Sequence, residues 1–238
     1  MNDTLFIALA PVFIIAIYIY YRDRWEKEPI GLLLLSLLLG AIVSIPVVFI
    51  EHRLMQRPVF ELDSLLSSAT YEGFVVAAAT EEFFKFLVFM LVIWNNRNFN
   101  EKFDGIVYAV FISLGFAGIE NVLYVFSYGV EIGYVRAFTA VPLHALVAVV
   151  MGYHLGLAKM GTNRRNGHLL LALVLPILFH GFYDWILMIR QSWYLLLYVP
   201  FLYFLWRRAF RRIKTLSEES RFNPKNTWKL PDDFFKKN

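Results

Sequence analysis

The 238-residue sequence predicts an all-α, polytopic membrane protein of about seven transmembrane helices, and three observations carry that prediction. Hydrophobic residues make up 58% of the chain and aromatic residues 18%, with a positive mean hydropathy, more apolar material than a soluble domain of this length uses. The apolar residues fall in seven runs, each near the roughly 20 helical residues that cross a hydrocarbon core of about 30 Å. The basic residues alternate between the two sets of connecting loops, as they do in membrane proteins of fixed orientation.

The seven runs are approximately 4–21, 30–50, 69–94, 104–128, 136–158, 168–189 and 193–210. The first lacks a basic leader, with Asp3 the charge nearest its start, and no small-residue cleavage site follows it. It therefore reads as a retained anchor. The connections are short and rich in Arg, Lys, Asn and Gly; the linker 51–68 alone is long enough to do more than turn the chain. The composition divides the chain into a transmembrane domain, 1–214, and a polar tail, 215–238, in which charges mix with Phe222, Trp228, Phe234 and Phe235. No long polar stretch before the tail leaves room for a soluble catalytic domain. The chain has no cysteine, which excludes disulfides, thiolate catalysis and Cys-ligated zinc. The net charge of +4 is small; the partner expected from composition is the lipid bilayer, and no nucleic acid is expected.

One set of loops receives Arg22, Arg24, Lys27, Arg97, Lys102, Lys159, Arg164, Arg165 and the run Arg207, Arg208, Arg211, Arg212 and Lys214. The other set holds Arg53, Arg57, Arg136 and Arg190. The rich side is expected to be cytoplasmic, which puts the N-terminus outside and the C-terminus and tail inside.

Ionisable side chains then appear where they are expensive, at about 2.5–3.5 kcal/mol each on insertion scales. Glu81, Glu82 and Lys85 lie in the third run, Glu120 and Asn121 in the fourth, His144 in the fifth, and His180 and Asp184 in the sixth. Counted inward from the outer end of each run, Glu81, Glu120, His144 and His180 fall at depths of roughly 12–18 Å, at about 1.5 Å per residue. Helices of alternating direction have no need to agree in this way, so one shared site is the economical reading. Small residues flank the same positions: Gly73 and Ala77 before Glu81; Ser113 and Ala117 before Glu120; Ala137, Ala140, Ala148 and Gly152 around His144. Such stripes let helices approach closely, which places the ionisable groups in the bundle interior. The bland alternative is a pair of buried ion pairs, Glu81 with Lys85 and Asp184 with His180, that fix helix interfaces. His52, His154 and His168 sit near the ends of the runs, where an interfacial histidine is ordinary.

Adjacent Glu81 and Glu82 differ by about 100° around a helix, so one is expected to act as base while the other braces a neighbour. A carboxylate in a poorly hydrated site is an effective base toward water, and a facing histidine can share its proton or stabilise an oxyanion. Glu, His, His and Asp around one water make a hydrolase. No serine is placed for a triad, and Ser113 and Thr80 have no special context. Zinc held by His144, His180 and Glu81 is the second mechanism; no HExxH motif occurs, and no cofactor is expected.

The strings ATEEFFK (79–85), FDGIVYAVFISLGFAGIENVLY (103–124), PLHALVAVVMGYHLG (142–156) and LFHGFYDW (178–185) resemble the PrsW family of glutamic-type intramembrane proteases, in the family's order and over nearly the whole membrane region. The resemblance implies a bacterial inner-membrane enzyme that makes the first, extracytoplasmic-side cut in a single-span anti-sigma factor during an envelope-stress response. The family is in turn similar to the type II CAAX prenyl endopeptidases, in which a Glu and a His activate water and a further His with Asn forms an oxyanion hole. That similarity implies roles for Glu81 and Glu82 as the paired acids and for His180 with Asp184 at the oxyanion; Glu120 stands where those enzymes carry His, so His144 becomes the expected partner of Glu81. Lys85 and Asn121 are expected to support the site. An ion-coupled transporter and an inactive scaffold are the rival classes, although the two halves of the chain lack the repeat that transporters show.

Overall fold

The computed structural model describes residues 2–56, 58, 63–161, 164–189 and 195–226. The chain is all-helical among these residues. Helix α1 spans Asn2–Arg22 and α2 spans Ile30–Gln56. A rod, α3 (65–93), follows in four consecutive pieces: α-helical Leu65–Thr70, π-helical Tyr71–Ala79, α-helical Thr80–Val88 and π-helical Phe89–Ile93. Ser64 starts it through a capping box in which the Ser67 N–H donates to the Ser64 hydroxyl oxygen. Helix α4 is Lys102–Tyr128, α5 is Val130–Phe138, α6 is Ala140–Lys159, α7 is Arg165–Met188 and α8 is Leu195–Glu218.

The expected helix ends hold within a few residues for α1, α4 and α7. Three differences stand out. The linker 51–68 is in part helical: α2 runs on to Gln56 and α3 begins at Leu65, while 57 and 59–62 lie outside the described residues. The run 136–158 is divided at Thr139 (φ −121°, ψ −76°), so Arg136 belongs to the short α5 and His144 to α6. Helix α8 continues past residue 214 to Glu218, and Ser217, Ser220 and Asn223 are buried. Of the aromatic residues in the tail, Phe222 is described, whereas Trp228, Phe234 and Phe235 lie outside the described residues.

Among the described residues, five stretches are long and apolar enough to cross a membrane: Leu5–Arg22, Ile30–Gln56, Lys102–Tyr128, Val130–Lys159 and Arg165–Met188. The two further runs of the expected seven differ for physical reasons. The α3 rod is broken into α and π pieces and carries Glu72, Glu81, Glu82 and Lys85. Helix α8 places Arg207, Arg208, Arg211 and Arg212 in its second half. The chain is a polytopic membrane protein.

Helix α4 is the axis of the bundle, with 78% of its apolar window buried, against 22% in α1 and 28% in α2. The outer faces of α1 and α2 display Phe6, Phe13, Leu34, Leu38 and Phe49, an apolar surface that suits lipid. Glycines set how near the other helices come to α4. A Cβ at Gly40 would lie 1.9 Å from the Ile112 carbonyl oxygen, and one at Gly105 would lie 2.4 Å from that of Gly152. Backbone touches backbone at both crossings, as small residues permit between membrane helices. On the far side of α6, α7 packs against α3, where a Cβ at Gly73 would meet the Gly181 carbonyl oxygen at 3.1 Å. The acid-bearing piece of α3 is enclosed by α2, α4, α6 and α7.

Candidate active site

The middle of the rod supplies the first groups. Thr80–Val88 resumes α-helical winding directly after a π-helical stretch, an irregularity that recurs at functional sites. Glu81 and Glu82 open that segment, and Lys85 follows one turn later. Both acids meet the same cation: the Lys85 ammonium donates to Glu81 Oε2 at 2.9 Å and to Glu82 Oε1 at 2.8 Å. The long lysine side chain lies between the i+3 and i+4 directions, so both carboxylates meet it. It is 1% exposed and also sits 4.3 Å from the centroid of the Phe116 ring.

Helix α6 brings His144 against this group. Lys85 Nζ is 3.1 Å from His144 Nδ1. An ammonium can only donate, so Nδ1 accepts, Nε2 carries the proton, and Nε2–H donates to Glu120 Oε2 at 2.8 Å. Glu120, from α4, is held in turn by Arg136 of α5 at 2.8 Å. Asn121 lies beside that contact: its Oδ1 accepts from Arg136 Nε at 3.0 Å and its Nδ2 donates to the Ala8 carbonyl at 2.8 Å. Asn121 thus braces Arg136 and ties α4 to α1, and its amide is committed at both ends.

Helix α7 closes the group. His180 Nδ1 donates to Glu82 Oε1 at 2.9 Å, its Nε2 is 3.3 Å from Asp184 Oδ2, and its ring meets that of His144 edge-on at 5.0 Å. Glu81 Oε2 lies 3.9 Å from His144 Nδ1 and 4.0 Å from His180 Nδ1. Every side chain singled out from the sequence, on four helices, therefore enters one connected network, with Asn121 at its edge. Ser113, given no context there, donates to the His144 carbonyl at 3.0 Å and fixes the α4–α6 register at the site.

A cavity of ≈ 630 Å³ opens on one side of the network, within the range of small-molecule and peptide sites. Glu81, Glu120, His144, His180 and Asp184 line it, whereas Glu82 and Lys85 stand behind them. Sequence reasoning missed three further residues of this wall. Arg136 looked like a loop charge because the break at Thr139 is invisible in an apolar run. Glu51 and His52 fell just past the expected end of α2, yet that helix extends far enough to place both at the cavity. His154 and His168, set aside as interfacial, stack on each other with Nδ1 atoms 3.0 Å apart, away from this site.

A family model described as the PrsW family intramembrane metalloprotease matches residues 28–207. The chain belongs to the PrsW family. Its relatives include a protein named Protease PrsW in Oceanobacillus iheyensis, 41% identical over 223 residues, which cover 94% of this chain and 100% of that protein. Those of Clostridioides difficile and Bacillus subtilis are 37% and 36% identical, covering 86% and 87% of this chain and 87% and 92% of their own lengths. No solved structure matches the chain. This PrsW-family chain is an intramembrane protease, a multi-pass protein of the bacterial cell membrane whose substrates are membrane proteins.

The family's description implies a metal ion, and the residues present fit one. Ligand atoms of Glu81, Glu82, His144 and His180 all lie within 4.8 Å of one another, and all four side chains are buried. Two imidazoles with carboxylate are a usual donor set for catalytic zinc. Lys85 holds oxygens of both acids, so an ion and the ammonium compete for the same lone pairs.

Proposed function

We propose that this protease makes the first, extracytoplasmic-side cut in a single-span, membrane-anchored anti-sigma factor, with Glu81 as the general base on the hydrolytic water. One observation supports the base assignment above others: of the paired acids, Glu81 faces the cavity while Glu82 lies behind it with Lys85. The cavity is bounded by the C-terminal parts of α2 and α4, the ends of the bundle poorer in Lys and Arg. The richer ends are read as cytoplasmic, with the N-terminus outside and the C-terminus inside, so the cut falls on the outer side. The anti-sigma factor and its envelope-stress setting rest on the PrsW resemblance.

In this reading Glu81 takes a proton from water as the water adds to the scissile carbonyl. Lys85 holds the Glu81 carboxylate in place, and Glu82 shares that ammonium. His144 stands 3.9 Å from Glu81 and is positioned through Nε2 by Glu120, which Arg136 anchors. His180, held by Glu82 on Nδ1, offers its Nε2–H, 3.3 Å from Asp184, to the developing oxyanion. Asn121 acts at one remove, through Arg136.

The donor cluster favours a second mechanism for the same reaction. His144, His180 and Glu81 would hold a zinc ion, which when bound acidifies its water and polarises the carbonyl. In that case Glu120 on Nε2 would orient His144 and Asp184 beside Nε2 would orient His180, which leaves both Nδ1 atoms for the ion.

The test is cleavage of a single-span substrate in proteoliposomes, with the cut site read by mass spectrometry. Glu81→Gln is expected to lower the rate by roughly 10²–10⁴-fold, the usual worth of a general base. A fully active Glu81→Gln enzyme overturns the assignment. Insensitivity to a strong chelator supports the water mechanism, and loss of activity restored by Zn²⁺ moves the histidines to metal ligands.

A further inference from the structure

The opposite end of the bundle holds a second group of acids that the proteolytic site does not use. Asp104 lies 16 residues before Glu120 on α4, roughly 24 Å along the helix at about 1.5 Å per residue. Ligand oxygens of Glu26 and Glu28, from the loop between α1 and α2, and of Asp104 lie within 4.8 Å of one another. Asp23 adjoins them, and its own Oδ2 accepts from the Glu28 N–H at 3.1 Å.

The way these carboxylates are held points to a ligand. In each, the protein fixes one oxygen and leaves the other bare. Asp104 Oδ2 accepts from the Asn100 and Glu101 N–H groups at 2.8 and 2.7 Å. Glu28 Oε2 accepts from the Tyr108 hydroxyl, and Glu26 Oε1 accepts from Asn100 Nδ2 at 3.0 Å. The remaining oxygens, Asp104 Oδ1, Glu28 Oε1, Glu26 Oε2 and Asp23 Oδ1, are all buried with no N–H or hydroxyl donor, and the Glu28 and Asp104 carboxyls lie within reach of each other. Asp104 is 0% exposed, Asp23 1% and Glu28 3%. Orphaned buried acceptors are costly, and several within one cluster of acids call for a cation. Lys27 beside Asp23 and Arg221 beside Glu101 bring positive charge to the rim.

We infer that Glu26, Glu28 and Asp104 bind a hard divalent cation, Mg²⁺ or Ca²⁺, at the end of the bundle remote from the proteolytic cavity. Oxygen-only ligation by carboxylates is the chemistry these ions take, with water filling the remaining positions. The ion clamps the first loop to the start of the central helix. The site is separate from the zinc set at Glu81, His144 and His180.

The experiment uses the full chain in detergent, stripped with chelator and titrated with Mn²⁺ at pH 7.5, free Mn²⁺ being read by electron paramagnetic resonance. One Mn²⁺ per chain is expected in the Glu81→Gln background, which weakens binding at the proteolytic site, and Mg²⁺ or Ca²⁺ should displace it. Glu28→Gln with Asp104→Asn should reduce binding at least tenfold. A second measurement needs no acid removed: Tb³⁺ emission sensitised by Tyr108 and Trp25 should appear in the stripped wild type and be quenched by Ca²⁺. Absence of both Mn²⁺ binding and sensitised emission overturns the inference. So does Mn²⁺ binding that persists undiminished in a folded Glu28→Gln, Asp104→Asn chain.

Discussion

Arg136→Gln is the substitution whose effect follows most directly from the geometry. The Arg136 side chain is 11% exposed and the Glu120 side chain 19%, and each Glu120 oxygen has one partner: Arg136 at 2.8 Å and His144 Nε2 at 2.8 Å. Truncating one partner of such a pair costs about 2–5 kcal/mol, much of it the penalty of a buried charge left alone. The part that reaches catalysis is the loosened hold on His144. Loss of an orienting partner behind a functional histidine is worth about 10–100-fold, or about 1.4–2.7 kcal/mol of transition-state stabilisation. Arg136→Gln should therefore lower kcat/KM by about 10–100-fold, with most of the change in kcat. Arg136→Lys keeps a charge for Glu120 but cannot also hold Asn121, and should fall between. Because Arg136 acts through Glu120, the double variant with Glu120→Gln should be little worse than Glu120→Gln alone. Cleavage of a fluorogenic single-span substrate in proteoliposomes supplies the rates. A wild-type kcat in Arg136→Gln, or penalties that multiply in the double variant, would refute the relay from Arg136 through Glu120 to His144.

Other consequences can be checked on the purified protein. Lys85→Met leaves two carboxylates facing each other without their ammonium and should destabilise the fold by about 3–5 kcal/mol in detergent unfolding; adding Glu82→Gln should return part of that loss. Gly105→Val drives side-chain atoms into the Gly152 backbone, 2.4 Å from the first added carbon, and should cost at least about 1–3 kcal/mol, whereas Gly167→Ala, with nothing within 4 Å, should be close to neutral in the same assay. Burial lifts Asp23 to about 6 and Glu101 to about 7. Both therefore bind their proton more tightly in the folded chain. Their stabilising effect is full below the unfolded values near about 4 and is lost as the pH rises through about 6 and then about 7. In chelator, the melting temperature should fall across that window; a rise would contradict the sign.

Much of the site could be read from residue types and depth because the membrane makes charge informative. Glu81, Glu120, His144 and His180 sit on helices of alternating direction, and their equal depth has little other explanation. What escaped notice did so for local reasons. Arg136 occupies a short helix whose end at Thr139 depends on backbone angles, while the surrounding residues read as one apolar run. Glu51 was lost to an error of six residues in the end of α2, where Glu51, His52 and Arg53 made a helix look like a loop. The meeting of Glu81 and Glu82 on Lys85 uses both the i+4 and the i+3 spacing, of which the sequence reading drew on the first alone. Asp23, Glu26, Glu28 and Glu101 lie outside the seven apolar runs and Asp104 at the start of one, and folding alone brings them together.

The wide turns of Tyr71–Ala79 also bear on how much length variation this protein tolerates. An i→i+5 turn contains a residue more than the α-helical turn it replaces. Deleting one residue from that stretch allows a turn to rewind as ordinary α-helix while the segment after it keeps its azimuth, so Glu81 and Glu82 still meet His144 and His180. The same deletion within Thr80–Val88 has no slack to draw on and swings everything beyond it by about 100°. Single-residue gaps should thus be survivable upstream of the paired acids and ruinous among them, which makes the rod a slip joint on one side of its chemistry and a fixed shaft on the other.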